Sequence, residues 1–387
     1  MRITGGRVFR DGAFAEADLV IDGDRIAGVS SREAGVGDAG AAPTADAVSQ
    51  NDLDATGCYV VPGFIDLHFH GCVGADLCDA TGESMRAIAR HQASRGVTAI
   101  CPATMTYPEE RLAAIMDVAA AFTPADDEAA LVGVNMEGPF ISPDKIGAQN
   151  PAYVQHADAA MLRRLQERAG GLVKLVDIAP EEPGALDFVA EVAGEVRVSI
   201  AHTCTDYDTA REAFARGVRH MTHLYNAMPG LHHRKPGPIA AAWECPEAAV
   251  ELICDGVHIH PAMVRLTFGL FGPERICLVS DSMRACGLDD GEYDLGGQQV
   301  NVRGNVATLA DGTIAGSVTD LAACVKVAVR EMGVPLEDAV RAATLTPARA
   351  LGIDGERGSL EAGKIADAVV LDEELNVKHV IVRGKLL

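Results

Sequence analysis

The feature that most constrains the fold of this chain is a repeated alternation of short apolar runs and longer helical patterns. The runs are rich in β-branched residues, as in Val97–Cys101 and Val173–Ile178, and segments such as Glu109–Ala121 between them place apolar residues at helical spacing. Short strands that are apolar throughout and separated by helices predict a parallel sheet covered on both faces. Eight runs follow this pattern, at 59–67, 97–101, 131–136, 173–178, 196–201, 218–222, 250–254 and 276–280.

Eight strand–helix units predict an α/β protein with a TIM-like (β/α)₈ barrel. A doubly wound sheet is the alternative that the pattern alone leaves open. The two ends of the chain differ from this middle part, because both show β-hairpin patterns. We therefore predict a small β-sandwich domain formed by residues 1–58 and 353–387, and a metal-dependent catalytic barrel over 59–352.

Two segments fall outside the repeat. Residues 287–313 carry the turn signals of an inserted hairpin region after the eighth strand. Residues 34–50 are rich in Ala, Gly, Asp and Pro without a period, which predicts a loop whose role the sequence does not indicate.

Charge and cysteine usage exclude several classes of partner. The 387 residues include 33 Lys and Arg against 55 Asp and Glu, a formal charge of −22. A field of that sign repels nucleic acid and anionic lipid, and no apolar stretch is long enough for a membrane span. The ten cysteines form no C-x-x-C pair. We expect a soluble cytoplasmic protein with neither nucleic-acid nor membrane partners.

Residues that bind metals or protons stand where six of the predicted strands end. In a (β/α)₈ barrel the carboxyl ends of the strands form the catalytic face, so these side chains are expected to meet. The set consists of His68 and His70 after the first strand, Glu137 after the third, His202 after the fifth, His223 after the sixth, His258 after the seventh and Asp281 after the eighth.

The chemistry of this set is that of a catalytic divalent metal. Alternation along a strand directs His68 and His70 to the same face. Imidazole and carboxylate ligands with an open position suit Zn²⁺, with Fe²⁺ or another divalent ion as alternatives, at one or two ions per subunit. Asp281 is then the general base. Two of these residues also have a purely structural interpretation. Asp281 could cap the segment that follows it, and Glu137 could belong to a turn formed with the next Gly-Pro pair.

The motifs around these residues resemble the N-acetylglucosamine-6-phosphate deacetylase family of the amidohydrolase superfamily. The resemblance extends over nearly the whole chain, and Thr-His-Leu-Tyr-Asn-Ala-Met is its most specific piece. The matching segments are 62–68, 137–140, 222–228, 255–258, 280–283, 290–293, 314–317, 347–352 and 363–367.

The resemblance implies hydrolysis of the acetamide of N-acetyl-D-glucosamine 6-phosphate, an amino sugar phosphate, to acetate and D-glucosamine 6-phosphate. It implies that Glu137, His202 and His223 hold the principal metal, that His68 and His70 offer a second position, and that Asp281 and His258 are catalytic. It also implies a homodimer in which one subunit reaches the phosphate site of the other. The implied substrate contacts are Ala148, Gln149, Asn226, Ala227, Arg234, Asp255, Gly256, Val257, His258, Ile314, Ala315 and Gly316.

Two departures from the family pattern bear on the substrate. Gln149 replaces the usual His and cannot carry a charge, and Ser280 replaces the usual Thr. The alternatives are an amidohydrolase for the galacto epimer, for an N-acyl amino acid or for a cyclic amide, and a non-catalytic scaffold. The scaffold predicts eroded ligands, which this chain does not have. The basic run His232–Lys235 is the local exception to the acidic surface and indicates an anionic substrate.

Overall fold

A computed structural model describes residues 1–31 and 52–387, so the predicted loop at 34–50 lies outside the described residues. The strands are β1 Arg2–Arg10, β2 Ala13–Asp22, β3 Arg25–Ser31, β4 Leu53–Asp54, β5 Tyr59–Pro62, β6 Phe64–Asp66, β7 Gly71–Cys72, β8 Ala75–Asp76, β9 Val97–Ile100, β10 Ala130–Leu131, β11 Val134–Met136, β12 Val173–Ile178, β13 Arg197–Ile200, β14 His220–Met221, β15 Ala249–Ile253, β16 Ile276–Val279, β17 Gly291–Leu295, β18 Gln298–Arg303, β19 Val306–Thr308, β20 Ala368–Leu371, β21 Val377–Val382 and β22 Lys385–Leu386. The helices are α1 Gly82–Ser94, α2 Glu109–Ala121, α3 Ala159–Arg168, α4 Ala185–Val192, α5 Tyr207–Arg216, α6 Gly237–Trp243, α7 Pro261–Phe271, α8 Leu321–Arg330, α9 Leu336–Ala343 and α10 Leu345–Leu351.

Both chain ends contribute to one sheet, in the order β22-β21-β20-β5-β1-β2-β3 with β4 beside β1. The β1–β2 and β2–β3 pairs are antiparallel, and the Asp-Gly turn at 22–23 predicts the second of these hairpins. The sheet buries its own apolar cluster, which includes Ile3, Leu19, Val60 and Ile381.

The middle of the chain forms a curled parallel sheet in two sections, β6-β9-β10 and β11 to β16 in sequence order. An isolated parallel bridge from Ala103 to Asn135 joins the sections. At the other edge, the Asp281 N–H donates to the His68 carbonyl at 3.0 Å, so the strand ends of β16 and β6 meet. The fold is therefore a mixed α/β fold, and the ends of its first and last parallel strands are neighbours.

Helices between the strands start where the sequence supplies side-chain caps. Asp158, Asp206 and Asp320 each accept backbone N–H groups in the first turn of α3, α5 and α8. The helices pack their apolar faces on the outside of the sheet in one large buried cluster, and a smaller cluster containing Leu67, Leu175 and Val279 fills the inside of the curl. No helix among residues 1–31 and 52–387 is both long and apolar enough to cross a membrane.

The run at 59–67, predicted as one strand, is two strands in different sheets. Tyr59–Pro62 pairs with β1 and β20 of the terminal sheet, and Phe64–Asp66 pairs with β9 of the parallel sheet. The Gly63 N–H still donates to the Asp367 carbonyl beside β20, whereas the Phe64 N–H donates to the Gly96 carbonyl beside β9, so the chain changes sheets between these two residues. The inserted region at 287–313 contains the antiparallel sheet β17-β18-β19, as the turn signals predict.

Candidate metal centre and active site

Five parallel strands carry the metal-type residues at their carboxyl ends. These residues are buried, and each stands one to four positions beyond the last strand residue: His68 and His70 beyond β6, Glu137 beyond β11, His202 beyond β13, His223 beyond β14 and Asp281 beyond β16. Neighbouring parallel strands end at the same edge of the sheet, so residues far apart in the sequence meet there.

Three of these residues have backbone in the left-handed region. His202 has φ = 41°, His223 has φ = 27° and Asp281 has φ = 48°. Each costs on the order of 1 kcal/mol or more for a side chain with a Cβ, and such strain persists where the surrounding structure enforces it. The turn after each strand thereby aims the side chain into a common centre.

The first group of ligand atoms surrounds one oxygen of Glu137. Its Oε1 lies 2.9 Å from His202 Nε2 and 3.1 Å from His223 Nε2, and the two ring nitrogens are 3.2 Å apart. His202 donates from Nδ1 to the Lys145 carbonyl at 2.9 Å, so in the neutral ring Nε2 carries a lone pair. Lone pairs and a carboxylate converging in this way suit a divalent cation.

The second group surrounds the other oxygen of Glu137. His70 Nε2 is 3.3 Å from Glu137 Oε2 and 3.3 Å from Asp281 Oδ1. His68 Nε2 is 3.6 Å and 3.8 Å from the same two atoms. Among the described residues, His68 Nε2 and Glu137 Oε2 are buried without a hydrogen-bond partner. Buried polar atoms without partners are costly, so these atoms also fit an ion between them.

Two carboxylates of the centre are held in the charged form. Burial raises the pKa of Glu137, but His68 and hydrogen bonds from His202 and His223 hold that pKa well below its ordinary value. Burial likewise raises the pKa of Asp281, and its contacts with His70 and His68 lower it. Both groups are therefore anionic near neutral pH, as a ligand and a general base must be.

A cavity of about 470 Å³ lies against this centre. Arg234 does not line it: this side chain is exposed and its Nη1 lies 2.6 Å from His233 Nε2. His68 and Ala315 are buried behind the cavity wall, and Asp255, Gly256 and Val257 form the turn that carries His258. The predicted residues that do line the cavity are His70, Glu137, Ala148, Gln149, His202, His223, Asn226, Ala227, His258, Asp281, Ile314 and Gly316.

His258 is fixed by Asp255. The Asp255 Oδ2 lies 2.7 Å from His258 Nδ1, and Oδ1 accepts the N–H groups of Val257 and His258 at 2.9 Å. Burial lowers the pKa of His258, but Asp255 raises it above its ordinary value. With Nδ1 held by Asp255, His258 presents its Nε2 to the cavity.

The side-chain amide oxygen of Gln149 is hydrogen-bonded within the protein. Its Oε1 accepts the Thr106 N–H at 2.7 Å, and the side chain is buried. The NH₂ group remains for the cavity and can only donate. Gln149 therefore suits an acceptor oxygen on a ligand.

The sequence patterns missed part of the cavity wall. Lys145 and Gly147 belong to the loop of Gln149, and Gly147 (φ +58°) lies so close that a Cβ would come within 3.0 Å of the His202 ring. Leu295 comes from the inserted sheet. Lys145 and Gly147 could have been found from the sequence, because they lie next to Gln149. Leu295 could not, because no local pattern indicates that the inserted sheet faces the site. The other unpredicted lining residues are Met105, Asp144, Ile146, Asp311 and Thr313.

Comparisons with known proteins identify the family of this chain. The sequence profile of the Amidohydrolase family matches residues 59–387. The chain is 36% identical to an N-acetylglucosamine-6-phosphate deacetylase of Bacillus subtilis (strain 168), over 84% of each chain. It is also 36% identical to an N-acetylgalactosamine-6-phosphate deacetylase of Escherichia coli O157:H7, over 88% of this chain and 90% of that one.

A solved structure with the same architecture is that of a variant of N-acetyl-D-glucosamine-6-phosphate deacetylase from Mycobacterium smegmatis in complex with N-acetyl-D-glucosamine-6-phosphate. The TM-score is 0.91 at 34% identity, covering 100% of this chain and 98% of that chain.

Proposed function

Because the chain belongs to the amidohydrolase family, we propose that it is an N-acetylglucosamine-6-phosphate deacetylase, which hydrolyses the acetamide of N-acetyl-D-glucosamine 6-phosphate to acetate and D-glucosamine 6-phosphate. The observation that carries the proposal is the convergence of Glu137, His202, His223 and Asp281 on the wall of one cavity. A scaffold without activity would have no need of these buried side chains, three of which (His202, His223 and Asp281) stand on strained backbone.

The architecture that supports this activity is a (β/α)₈ barrel over 59–352 with a small β-sandwich domain from 1–58 and 353–387. The support is the parallel order of β11 to β16 and the contact between the ends of β16 and β6. The strand Tyr59–Pro62 joins the terminal sheet and links the two parts.

Glu137, His202 and His223 would hold the principal metal, and His68 and His70 a second one. Nitrogen and carboxylate ligands favour Zn²⁺, with Fe²⁺ or another divalent ion as alternatives. When bound, the ion supplies Lewis-acid activation of water and of the acetamide carbonyl.

Asp281 moves the proton. Its carboxylate lies at the centre and is anionic near neutral pH, so it accepts the proton of the attacking water. As the C–N bond breaks, Asp281 passes this proton to the departing nitrogen, and the water oxygen stays on the acetyl carbon as acetate.

The cavity residues orient the sugar phosphate. The NH₂ of Gln149 donates to a sugar oxygen, and His258, oriented by Asp255, contacts the substrate through its Nε2. The backbone of Asn226 and Ala227, the turn at 255–258 and the loop at 314–316 complete the contacts.

Arg234 is exposed and outside the cavity of its own subunit. We propose that it holds the phosphate bound to the other subunit of a homodimer, where its planar guanidinium suits a bidentate contact. An Arg234→Ala variant that lost phosphate selectivity, together with a dimeric mass by light scattering, would support this placement. A fully active monomer would contradict it. The cytoplasmic location stays a prediction.

A second candidate substrate is the galacto epimer, N-acetyl-D-galactosamine 6-phosphate. It is favoured by the equal identity to the N-acetylgalactosamine-6-phosphate deacetylase and by Gln149 at a sugar-contacting position.

The test is acetate release from a panel of substrates by the purified, metal-analysed protein. The panel contains both epimeric 6-phosphates, unphosphorylated N-acetylglucosamine, an N-acetyl amino acid and a cyclic amide. The proposal expects the highest kcat/KM with the gluco 6-phosphate. A preference for the galacto epimer would replace the substrate, and turnover of only the last two compounds would overturn the deacetylase assignment.

A further inference from the structure

A glutamate in the middle of a buried strand has no part in the mechanism above. Glu251 lies within β15 between the buried residues Val250 and Leu252, and its own side chain is completely buried. Parallel strands covered on both faces are normally apolar, and a buried carboxylate is costly unless it is well hydrogen-bonded. We therefore expect specific hydrogen-bond donors to the Glu251 carboxylate.

The partners of Glu251 are three histidines. Its Oε2 lies 2.8 Å from His68 Nδ1 and accepts the His223 backbone N–H at 3.0 Å. Its Oε1 lies 3.0 Å from His220 Nε2. Both carboxylate oxygens therefore accept, and two of the three contacts are on residues of the metal centre.

We propose that Glu251 is a positioning residue that builds the second metal position through His68. By accepting a hydrogen bond from the Nδ1–H of His68, it keeps that proton on Nδ1 and leaves Nε2 of the ring as the lone-pair atom. That atom is the one aimed at Glu137 Oε2 and Asp281 Oδ1, at 3.6 Å and 3.8 Å. The inference rests on the metal centre of the proposed function.

The same carboxylate also connects the two metal positions. Its contact with the His223 N–H holds the strand end at which φ is 27°, the turn that directs His223 to Glu137 Oε1. His220 is the outer member of the network. Its Nε2 is the donor to Glu251, because a carboxylate oxygen only accepts, and among the described residues its Nδ1 has no partner.

The alternative is that Glu251 and His220 are only a buried pair joining neighbouring strands. That structural role predicts lower stability in variants but no selective effect on the second ion. Metal stoichiometry and affinity separate the two interpretations, because they report the two positions individually.

The experiment titrates apo-protein with Co²⁺ and with Zn²⁺ for the wild type and for Glu251→Ala, Glu251→Gln and Glu251→Asp. Bound metal is measured by elemental analysis, and the Co²⁺ visible spectrum reports the geometry of each ion. Loss of an outer-shell partner weakens a metal by about tenfold to a hundredfold, so Glu251→Ala is expected to weaken the second equivalent by that factor and to leave the first nearly unchanged. Its second Co²⁺ band should also shift.

The two conservative variants distinguish the position of the side-chain oxygen at residue 251 from its negative charge. Glu251→Gln keeps an oxygen within reach of His68 and is expected to recover most of the second affinity. Glu251→Asp keeps the charge, but it is one methylene shorter and is expected to behave like Glu251→Ala. Asp177→Asn is the matched control, because Asp177 is equally buried and accepts from Thr222 Oγ1 at 2.8 Å rather than from a metal-centre histidine.

Wild-type affinity for both equivalents in Glu251→Ala, or in Glu251→Asp should the alanine variant not fold, would overturn the inference. Equal weakening in Asp177→Asn would do the same. A wild type that binds one equivalent yet releases acetate overturns the inference and leaves the proposed function standing. If the wild type binds two equivalents, the second through Glu251, but deacetylates no sugar phosphate, the inference stands and the proposed function is overturned.

Discussion

Gln298 connects the inserted sheet to the loop that contacts the substrate in the proposed function. Its Nε2 donates to the carbonyls of Ala148 and Gln149, at 2.6 Å and 3.1 Å. The same loop carries Lys145, whose carbonyl holds the His202 ring. We expect Gln298→Ala to loosen this loop and to weaken substrate binding.

The size of the effect follows from the two hydrogen bonds. Each contributes about 0.5–1.5 kcal/mol net, which together give about 1–3 kcal/mol. A factor of ten in an equilibrium constant corresponds to about 1.4 kcal/mol, so the full loss would raise KM by about fivefold to 150-fold. Water can replace part of the contact at this half-buried residue, so we expect about fivefold to twentyfold.

The assay measures initial rates of acetate release over a range of substrate concentrations. Asp281 does not touch Gln298, so kcat should remain within about threefold of wild type. Gln299→Ala is the matched control, because Gln299 is the exposed neighbour on the same strand. An unchanged KM in Gln298→Ala, or an equal increase in both variants, would refute the reasoning.

Four further outcomes are expected. Asp281→Asn should lower kcat by about 10²–10⁴-fold, and acetate release at the full rate would show that another group is the base. Burial lowers the pKa of His258 and Asp255 raises it, so kcat/KM for the sugar phosphate should fall as pH rises through that raised pKa. Asp255→Asn should move the fall to lower pH, and coinciding pH profiles would contradict this. Removing the metal with a chelator should abolish activity and lower Tm, because an ion present at a hundred times its Kd stabilises the folded protein by about 2.7 kcal/mol. Adding Zn²⁺ should restore both activity and Tm. A Tm that does not depend on metal would argue against the site. Arg275 donates to four backbone carbonyls between residues 242 and 248, so Arg275→Ala should reduce the free energy of unfolding by about 2–4 kcal/mol in denaturant titration, with Arg275→Lys intermediate.

Local patterns predicted the elements that surround the site. The periodicity of apolar residues is a property of neighbouring positions, so the helix at 109–121 and the strand at 173–178 have the predicted bounds. The strand-end positions of Glu137, His202 and His223 could be located in the same way, because a ligand that follows a strand is recognised by its immediate neighbours.

The segment that periodicity misassigned, and the side chain whose position it could not give, depend on contacts between distant segments. Tyr59–Pro62 belongs to the terminal sheet because its partner is β20, some three hundred residues later in the chain. Arg234 stands in a basic run beside a substrate motif, yet its side chain is exposed and outside the cavity. Proximity in the sequence did not translate into proximity in space.

The sequence by itself determined the α/β alternation, the ligand types and the family, because these are written in local spacing and motifs. Only the tertiary structure decided that Glu251 is bonded to His68, 183 positions away, and that Gln298 is bonded to Ala148 across 150 positions. Such pairs have no local signature. A glutamate in a strand and a glutamine in a hairpin acquire their roles only when the curled sheet and its inserted hairpin bring the partner atoms within hydrogen-bond distance.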